Sequence, residues 1–328
     1  MSEDVKTALV PVAAAPLGSP ADLAELVDRA NAYRVDVRAP ATRRAYASDF
    51  AAFKAWCEAR GLAPLPATHA TVAVYLAALA DQGRRPSSLY RALSGIAHAQ
   101  RRAGHDWRRS HPAVVEVMAG IKRKHGTQPE QKAPVEDAEL ARLVGGLGDG
   151  LAAHRDRAVL MVGWWGAFRR SALVALTVAD VQRTREGMIV TLRRSKTDQE
   201  GKGALTGIPF AMDASLCAVR ALDQWLAAAG ITEGPLFRGI DRHGRLSPHA
   251  LSDRTVALIV QRAAVGAGLD PSRLAGHSLR AGFATTAARA GRSLDAIMRQ
   301  THHKCPKVAR GYVRLAEVFH GNAAVGLR

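Results

Sequence analysis

The chain has 328 residues, whereas a single compact domain usually has roughly 100–200, so two folded domains are the first expectation. Its 46 Lys and Arg residues against 29 Asp and Glu residues give a formal net charge of +17 and a sequence pI near 10.7. This balance favours a polyanionic partner over an acidic protein or a neutral small molecule. Residues 41–132 and 133–328 are both basic, which makes a nucleic acid the first candidate, although charge alone leaves a merely cationic soluble protein open.

The three cysteines and the start of the chain indicate the compartment. Cys57, Cys217 and Cys305 are far apart and odd in number, which predicts neither a disulfide framework nor a paired zinc motif. The first residues carry no basic region followed by an apolar one, and no segment reaches the roughly 18–20 uncharged apolar residues that a membrane span needs. We therefore expect a soluble protein of the cytoplasm, associated with the nucleoid and with no membrane partner.

The first half of the chain shows helical periodicity after an N-terminal tail. Residues 1–33 have little pattern and predict a mobile tail with one possible short helix. Residues 34–123 predict a helical domain, because apolar residues recur at helical spacing after capping residues. The predicted helices are Pro20–Tyr33, a helix from Thr42 as cap to Gly61, Thr71–Asp81, Ser87–Ala103 with Ser87 as cap, and Pro112–Arg123.

Residues 124–134 have the composition of a linker, with two prolines and no large apolar side chain, and we place the domain boundary there. The second domain, residues 135–328, is expected to be mainly helical with a small antiparallel sheet. Its predicted elements are helices at Glu136–Leu147 and His154–Ala167, strands at Met188–Arg193 and Leu205–Phe210 around a polar turn, and helices at Ser215–Ala229, Pro248–Gly266, Ser278–Ala290, Ser293–Thr301 and Pro306–Phe319.

Basic and polar residues at helix ends and on polar faces of the first domain are candidate DNA contacts. For each one a solvated surface charge is the alternative reading. The candidates are Arg43, Arg44, Arg84, Arg85, Ser87, Arg91, Arg101, Lys122 and Arg123.

Three clusters in the second domain have the residue types that phosphodiester chemistry needs. Such a reaction without a metal requires planar cations for the phosphate, a nucleophile and a proton donor for the leaving oxygen. Arg169 ends an apolar run, and His277 and Arg280 lie three residues apart, which suits joint contact with one anion. Tyr312 follows a basic stretch that begins at His302. A surface arginine and an ordinary core tyrosine are the alternatives.

The order and spacing of these clusters resemble the tyrosine recombinase (phage integrase) family. Arg169 stands in a G-x-x-R-x-S-x-L motif, His277 and Arg280 form an H-x-x-R box, and His303 precedes Tyr312 by nine positions. The six positions that match the family's catalytic residues are Arg169, Lys196 at the turn between the two predicted strands, His277, Arg280, His303 and Tyr312.

The resemblance implies a fold, a reaction and partners. The fold is a two-domain one, with a helical core-binding domain at residues 34–123 and a mixed catalytic domain that ends in the nucleophile helix. Double-stranded DNA with a specific recombination site is the implied substrate. A homotetramer that exchanges the C-terminal segment 313–328, with Leu315, Val318 and Phe319 as apolar anchors, is the implied assembly. The same apolar stripe could pack within its own chain. Arg254 resembles a family position that enters the major groove, with a solvated helix arginine as the alternative.

The resemblance also implies a role for each catalytic residue. Tyr312 would attack the scissile phosphate to give a 3′-phosphotyrosyl bond that conserves bond energy, so no cofactor is expected. Arg169 and Arg280 would hold the non-bridging oxygens, and Lys196 would protonate the leaving 5′-oxygen. His277 would act as base or hold the phosphate, and His303 would hydrogen-bond a phosphate oxygen. No metal is expected, because the adjacent side chains of His302 and His303 diverge and the sequence near Cys305 offers no fourth ligand.

Two departures from the family pattern keep alternatives open. Ala172 stands where the family usually has an acidic residue, and His302 stands where many members have glycine. The first removes a supporting contact, and the second implies a different local turn. One alternative is a DNA-binding protein of the same fold with reduced or lost catalysis, and another is a telomere resolvase or type IB topoisomerase. A plain helix-turn-helix regulator would leave Lys196 unexplained, and the predicted core-binding domain favours the recombinase.

Overall fold

The computed structural model describes residues 20–126, 132–193 and 203–316. By its internal contacts the chain divides into two compact units, residues 1–130 and 131–328. The division falls inside the 124–134 segment that composition marks as a linker. None of the helices within the described ranges combines the length and apolar character that a membrane crossing requires.

Unit 1 is entirely helical in its described part. Its helices are α1 (Pro20–Asp36), α2 (Pro40–Glu58), α3 (His69–Asp81), α4 (Pro86–Arg102) and α5 (Pro112–His125). Phe53, Leu76 and Ile96 are fully buried at the centre of the apolar core that α2 to α5 share. Every helix that the periodicity predicts in this part of the chain is present.

Two helix starts differ from the sequence prediction. The cap of α2 is Ala39 and that of α4 is Arg85, so Thr42 and Ser87 lie inside the helices and the capping roles predicted for them are wrong. In both cases a proline, Pro40 or Pro86, occupies the first helical turn, where its missing N–H costs nothing and its fixed φ suits the helix. Proline therefore set the start of these helices one to two residues before the hydroxyl residue.

Unit 2 contains eight α-helices, three short 3-10 helices and five short strands in its described part. The helices are α6 (Asp137–Gly145), α7 (Leu151–Trp165), α8 (Arg170–Val174), α9 (Ala218–Ala229), α10 (Asp253–Gly266), α11 (Gly276–Arg289), α12 (Leu294–Thr301) and α13 (Pro306–Ala316). The strands are β1 (Val181–Arg183), β2 (Gly187–Leu192), β3 (Ala204–Pro209), β4 (Arg238–Ile240) and β5 (Leu246–Ala250). The mainly helical fold with a small antiparallel sheet is confirmed.

The strands form two antiparallel sheets. The first has the order β1-β2-β3, with Val190 opposite Thr206 on the β2 and β3 pair, and the second pairs β4 with β5. Strands β1, β4 and β5 and helix α8 were not predicted, because segments of three to five residues are too short to show a period. The helix predicted from Pro248 begins too early, since Pro248 lies in β5 and Ser252 caps α10 by accepting from the Thr255 amide.

Helix α7 is largely buried in unit 2, and it contacts the segment at the start of the unit that also binds α11. Its residues from Ala158 to Trp164 are nearly all buried, as expected for a helix that is apolar around its whole circumference. Trp164 Nε1 donates to the Val135 carbonyl at 2.8 Å, and the Val135 amide donates to the Ser278 carbonyl at 2.9 Å. These two hydrogen bonds hold the first turns of α11 against the segment around Val135 at the start of the unit.

Gly282 makes that close approach possible, and its substitution is the first prediction. A Cβ atom at Gly282 would lie 1.6 Å from the Val135 carbonyl oxygen, a backbone atom that cannot rotate away. Gly282→Ala should therefore destabilise unit 2 by about 3 kcal/mol through overpacking. Calorimetric unfolding of the variant beside the unchanged chain measures it.

Gly145→Ala is the matched control, because nothing lies within 4 Å of a Cβ at that position at the end of α6. Alanine has the better helix propensity, so this control should be neutral or more stable by up to about 1 kcal/mol. Equal stability of the two variants would contradict the close packing of α11 on Val135.

Candidate active site

Five of the six residues that match the family's catalytic positions lie in described parts of unit 2 and come together there. Arg169 is the cap of α8, and His277 and Arg280 both belong to the first two turns of α11. His303 follows α12, and Tyr312 lies in α13, which packs against α11 and α12. Four helices that are separate in sequence therefore deliver one cluster.

The tyrosine hydroxyl faces an imidazole. Tyr312 Oη lies 2.8 Å from Nε2 of His277, and the two ring centroids are 6.1 Å apart. Burial lowers the pKa of His277, and the positive charges of Arg280, Arg169 and Arg170 lower it further, although the ring keeps an exposed edge. The imidazole is thus neutral near pH 7 and can accept a proton from the phenol.

Burial raises the pKa of Tyr312, while the charges of Arg280 and Arg169 act in the opposite direction. The phenol is therefore protonated at neutral pH and needs a base before it can act as a nucleophile. His277 is the group within hydrogen-bonding distance that can serve as that base.

Arg280 is a buried cation whose terminal nitrogens are both held by the protein. Its side chain is 2% exposed, Nη1 donates to the Ala167 carbonyl at 2.6 Å, and Nη2 donates to His303 Nε2 at 2.9 Å. Nε has no hydrogen-bond partner within the described residues. Burial and the nearby Arg169 charge lower the pKa of Arg280 to about 10, so it remains charged at neutral pH.

The Ala167 carbonyl reaches Arg280 because the backbone turns there into the left-handed region. Ala167 has φ 47°, an uncommon value for a residue with a Cβ atom. Strain of this kind persists where the surrounding structure over-determines it and is frequent at functional sites. The strained turn lies two residues before Arg169, and its carbonyl holds the Arg280 guanidinium.

Arg169 and His303 complete the cluster. Burial lowers the pKa of Arg169, and the Tyr312 charge opposes this. The His303 ring lies with its centroid 5.6 Å from that of Tyr312, so the tyrosine ring has an imidazole on two sides. Burial, with the charges of Arg280 and Arg169, lowers the pKa of His303 to about 4.

The turn at His302 differs from an ordinary helix end. His302 closes α12 in the left-handed conformation with φ 52°, a position that favours glycine. Its Nε2 lies 2.7 Å from Oγ1 of Thr206, which is buried on β3. Gln300 Nε2 also donates to the Gly207 carbonyl at 3.0 Å, so the end of α12 is attached to β3 at two points. The departure from the family pattern at His302 therefore coincides with a left-handed turn that is hydrogen-bonded to β3.

Lys196 lies outside the described residues, as do Val318, Phe319 and the side chain of Leu315. The hairpin that leads toward Lys196 is held at the end of β2, where Arg193 Nε donates to Asp180 Oδ1 at 2.6 Å. Hydrogen bonds from Thr177 and the ion pair with Arg193 lower the pKa of Asp180 against the effect of its burial.

The two adjacent histidines point to different partners, His302 to Thr206 and His303 to Arg280. Cys305 is exposed, and the other two cysteines are buried thiols. Within the described residues, no three His, Cys, Asp or Glu side chains are arranged to hold a metal ion.

The candidate DNA contacts lie on or next to helices α2, α4, α5 and α10. Arg43 and Arg44 are on α2, Arg84 precedes α4, Arg85 caps it, Ser87, Arg91 and Arg101 are on α4, Lys122 and Arg123 are on α5, and Arg254 is the second residue of α10.

Most of these side chains are exposed, with Arg43 and Lys122 half-buried. Arg91 forms a two-point ion pair with Asp49 at 2.8 and 2.9 Å, and the Lys122 ammonium lies 4.9 Å from the Tyr90 ring centre.

Three contributors to the site were not predicted. The Ala167 carbonyl, Thr301 and Thr206 all bind catalytic-position residues or their neighbour. A sequence does not reveal the role of a backbone carbonyl, because that role depends on the φ of its residue. The two threonines were weakly indicated at most. Each is a polar residue that is buried and therefore needs a hydrogen-bond partner.

With this geometry in place, comparison with known proteins identifies the class. The Phage integrase family matches residues 135–318, more than half of the chain. The chain belongs to this family and is a tyrosine recombinase.

Among curated relatives, it is 40% identical over 292 residues to an integrase/recombinase xerD homolog of Selenomonas ruminantium, covering 87% of this chain and 85% of the relative. It is 26% identical over 279 residues to the recombinase cre of Escherichia phage P1, covering 79% and 80%.

Solved structures share the fold at low sequence identity. A XerH site-specific recombinase bound to palindromic difH substrate, in a post-cleavage complex, superposes with a TM-score of 0.60 at 15% identity, covering 78% of this chain and 72% of that one. A lambda integrase (75–356) dimer bound to a COC′ core site gives 0.55 at 19% identity, covering 82% and 86%. These matches establish the two-domain fold of the family.

The His302 turn yields the second prediction. Replacement by Gly and by Ala removes the same hydrogen bond to Thr206, but only glycine relieves the left-handed backbone. His302→Gly should therefore be more stable than His302→Ala by about 1 kcal/mol, as measured by urea unfolding of both variants. An alanine variant as stable as the glycine variant would contradict the left-handed turn.

Proposed function

We propose that this tyrosine recombinase cleaves and rejoins DNA at a specific site through a 3′-phosphotyrosyl bond to Tyr312, as a tetramer on two sites. The observation that carries the proposal is the 2.8 Å separation of Tyr312 Oη and His277 Nε2 beside two arginines. A nucleophile, a neutral base and two planar cations are the parts that transesterification at a phosphate needs.

In the cleavage step the phenol proton passes to His277 as Tyr312 Oη bonds to phosphorus. The P–O5′ bond breaks, and the leaving 5′-oxygen takes a proton from Lys196, the hairpin lysine that the family resemblance assigns to this role. Arg169 and Arg280 balance the charge that develops on the non-bridging oxygens. Religation is the reverse reaction with a 5′-hydroxyl of the partner duplex, so no external energy source is consumed.

Duplex DNA is the partner that charge and relatives favour. The net charge of +17 is shared by both halves of the chain, and binding that neutralises phosphates releases counterions and weakens with salt. We propose that residues 34–123 act as the core-binding domain through the candidate contacts on α2, α4 and α5, and that Arg254 on α10 reads bases. The XerH and lambda integrase structures that share the fold are bound to DNA in their crystals.

Exchange of the C-terminal segment between subunits has a candidate acceptor in unit 2. An apolar groove of about 370 Å³ lies between α7, α11 and α12, with Trp164, Trp165 and Phe283 on its wall. Helix α13 ends at Ala316 beside the groove-forming helices α11 and α12, and the chain continues with Val318 and Phe319. We propose that the groove receives this segment from a neighbouring subunit.

The proposal is tested with suicide DNA substrates. The unchanged chain, incubated with nicked duplexes that carry candidate sites from the source replicon, should give a covalent protein–DNA adduct on a denaturing gel. Tyr312→Phe should give none, because it keeps the ring and loses the nucleophilic oxygen. Binding without an adduct on a genuine site would favour a non-catalytic DNA-binding protein. Relaxation of any supercoiled plasmid without site preference would favour a type IB topoisomerase.

The pH dependence of cleavage follows from the lowered pKa of His277. A base must be neutral to act, so its contribution is present above its pKa and is lost as the pH falls through it. Because that pKa lies below the ordinary 6.5, adduct formation at limiting protein should stay constant near neutrality and fall only below pH 6.5. Rates measured from about pH 5 to 8 check this. An acidic limb centred above neutrality, or one that survives His277→Asn, would exclude His277 as the base.

A further inference from the structure

Thr206 is a polar side chain at an inward-facing position of β3. It is 1% exposed and lies opposite Val190 of β2, and the next inward residue along the strand, Ile208, is buried as well. A buried hydroxyl needs a hydrogen-bond partner from the protein, because water has little access to it. His302 is that partner, since its Nε2 lies 2.7 Å from Thr206 Oγ1.

His302 reaches Thr206 from a backbone conformation that favours glycine. It ends α12 in the left-handed region with φ 52°. A residue with a Cβ atom is disfavoured there, so glycine would form the same turn with less strain. The turn alone therefore does not explain the imidazole, whereas its contact with β3 does.

Strand β3 begins where the segment with Lys196 ends. Because β2 ends at Leu192 and β3 begins at Ala204, the chain between them contains Lys196 and enters β3 two residues before Thr206. The position of Thr206 therefore constrains the point from which this connection leaves the sheet.

Side chains hold the sheet at both ends of this connection. After β2, Arg193 Nε donates to Asp180 Oδ1 at 2.6 Å. In β3, Thr206 contacts His302, which lies in the turn between α12 and α13. Helix α13 carries Tyr312, so the His302 contact relates the start of β3 to the helix of the nucleophile.

We propose that His302 is a positioning residue for the proton donor of the cleavage step: by holding Thr206, it sets where Lys196 stands relative to Tyr312. This inference rests on the proposed function, in which Lys196 protonates the leaving 5′-oxygen. A proton donor acts only within hydrogen-bonding reach, and a displacement of about 1 Å is enough to slow a reaction strongly. Loss of the His302 contact should therefore impair protonation of the leaving group.

Two suicide substrates that differ in one atom isolate this step. The first has the ordinary 5′-oxygen at the scissile phosphate, and the second has sulfur in its place. With sulfur, the P–S bond breaks as Tyr312 Oη bonds to phosphorus, and the sulfur keeps the electron pair. A thiol has an ordinary pKa of about 8.5, far below that of an alcohol, so the thiolate leaves without a proton donor. The non-bridging oxygens are the same in both substrates.

Two variants break the contact from its two sides. His302→Gly removes the imidazole and suits the left-handed turn, and Thr206→Val removes the hydroxyl but keeps the shape. Each should slow single-turnover adduct formation about tenfold on the oxygen substrate and by less than about twofold on the sulfur substrate. The double variant should be no slower than either single one, because both changes remove the same contact. Equal slowing on both substrates, or no slowing on either, would overturn the inference.

Two control variants separate this inference from the proposed function. Lys196→Ala should be slow on the oxygen substrate and restored by sulfur, and a failure of this rescue would remove the proton donor from the proposed function and the inference with it. Thr285→Val should be unchanged on both substrates, because its buried hydroxyl has no hydrogen-bond partner within the described residues. If both controls behave as expected, the variants of His302 and Thr206 report on the inference alone.

Hydrogen exchange of the free, full-length protein tests the contact without any cleavage. In His302→Gly and in Thr206→Val, the amides of β3 (Ala204–Pro209) should exchange about tenfold faster, while those of β4 and β5 keep their rates. Unchanged exchange in β3 would overturn the inference even where the adduct forms. An absent adduct in the unchanged chain would instead count against the proposed function, while the exchange rates still decide whether His302 holds β3.

Discussion

The buried guanidinium of Arg280 is the constraint to which the surrounding structure is fitted. A cation with 2% exposure must be paired with good geometry, because the cost of removing it from water is several kcal/mol. Its two acceptors are a backbone carbonyl, that of Ala167, and a neutral ring, that of His303. The first belongs to a left-handed residue two positions before Arg169, and the second lies two residues after the end of α12. Two segments that are distant in sequence therefore meet at this one charge.

The two contacts that hold Arg280 come from a carbonyl and a neutral ring, and this has an electrostatic consequence. Arg169 and Arg280 lower the pKa of both neighbouring histidines and oppose the rise in the pKa of Tyr312. A carbonyl and a neutral ring do not neutralise the charge of Arg280. A phosphodiester would supply the missing negative charge, and preorganised cations of this kind gain most where water is excluded. In the proposed reaction, these cations would stabilise the charge that develops on the phosphate.

The sequence predicted the helices of unit 1, the β2 and β3 hairpin and the matching of Arg169, His277, Arg280 and Tyr312 to one site, because periodicity and spacing are carried by the residues themselves. It did not predict the contacts that fix the site. The carbonyl of Ala167 turns toward Arg280 only because of a φ of 47°, which depends on how α7 and α8 pack. Short strands such as β4 were not predicted either, because three residues are too few to show a period.

The two departures from the family pattern lie in different surroundings. Ala172 is a small buried residue where the resemblance implies a carboxylate that supports Arg169. His302 attaches the turn after α12 to β3 through Thr206. Arg280 is held by the Ala167 carbonyl and by His303. Neutral acceptors hold a cation without cancelling its charge, whereas a carboxylate would neutralise part of it. Arg280, held in this way, would keep its positive charge for the phosphate of the proposed reaction. Its support depends on the left-handed turn at Ala167 rather than on an ion pair.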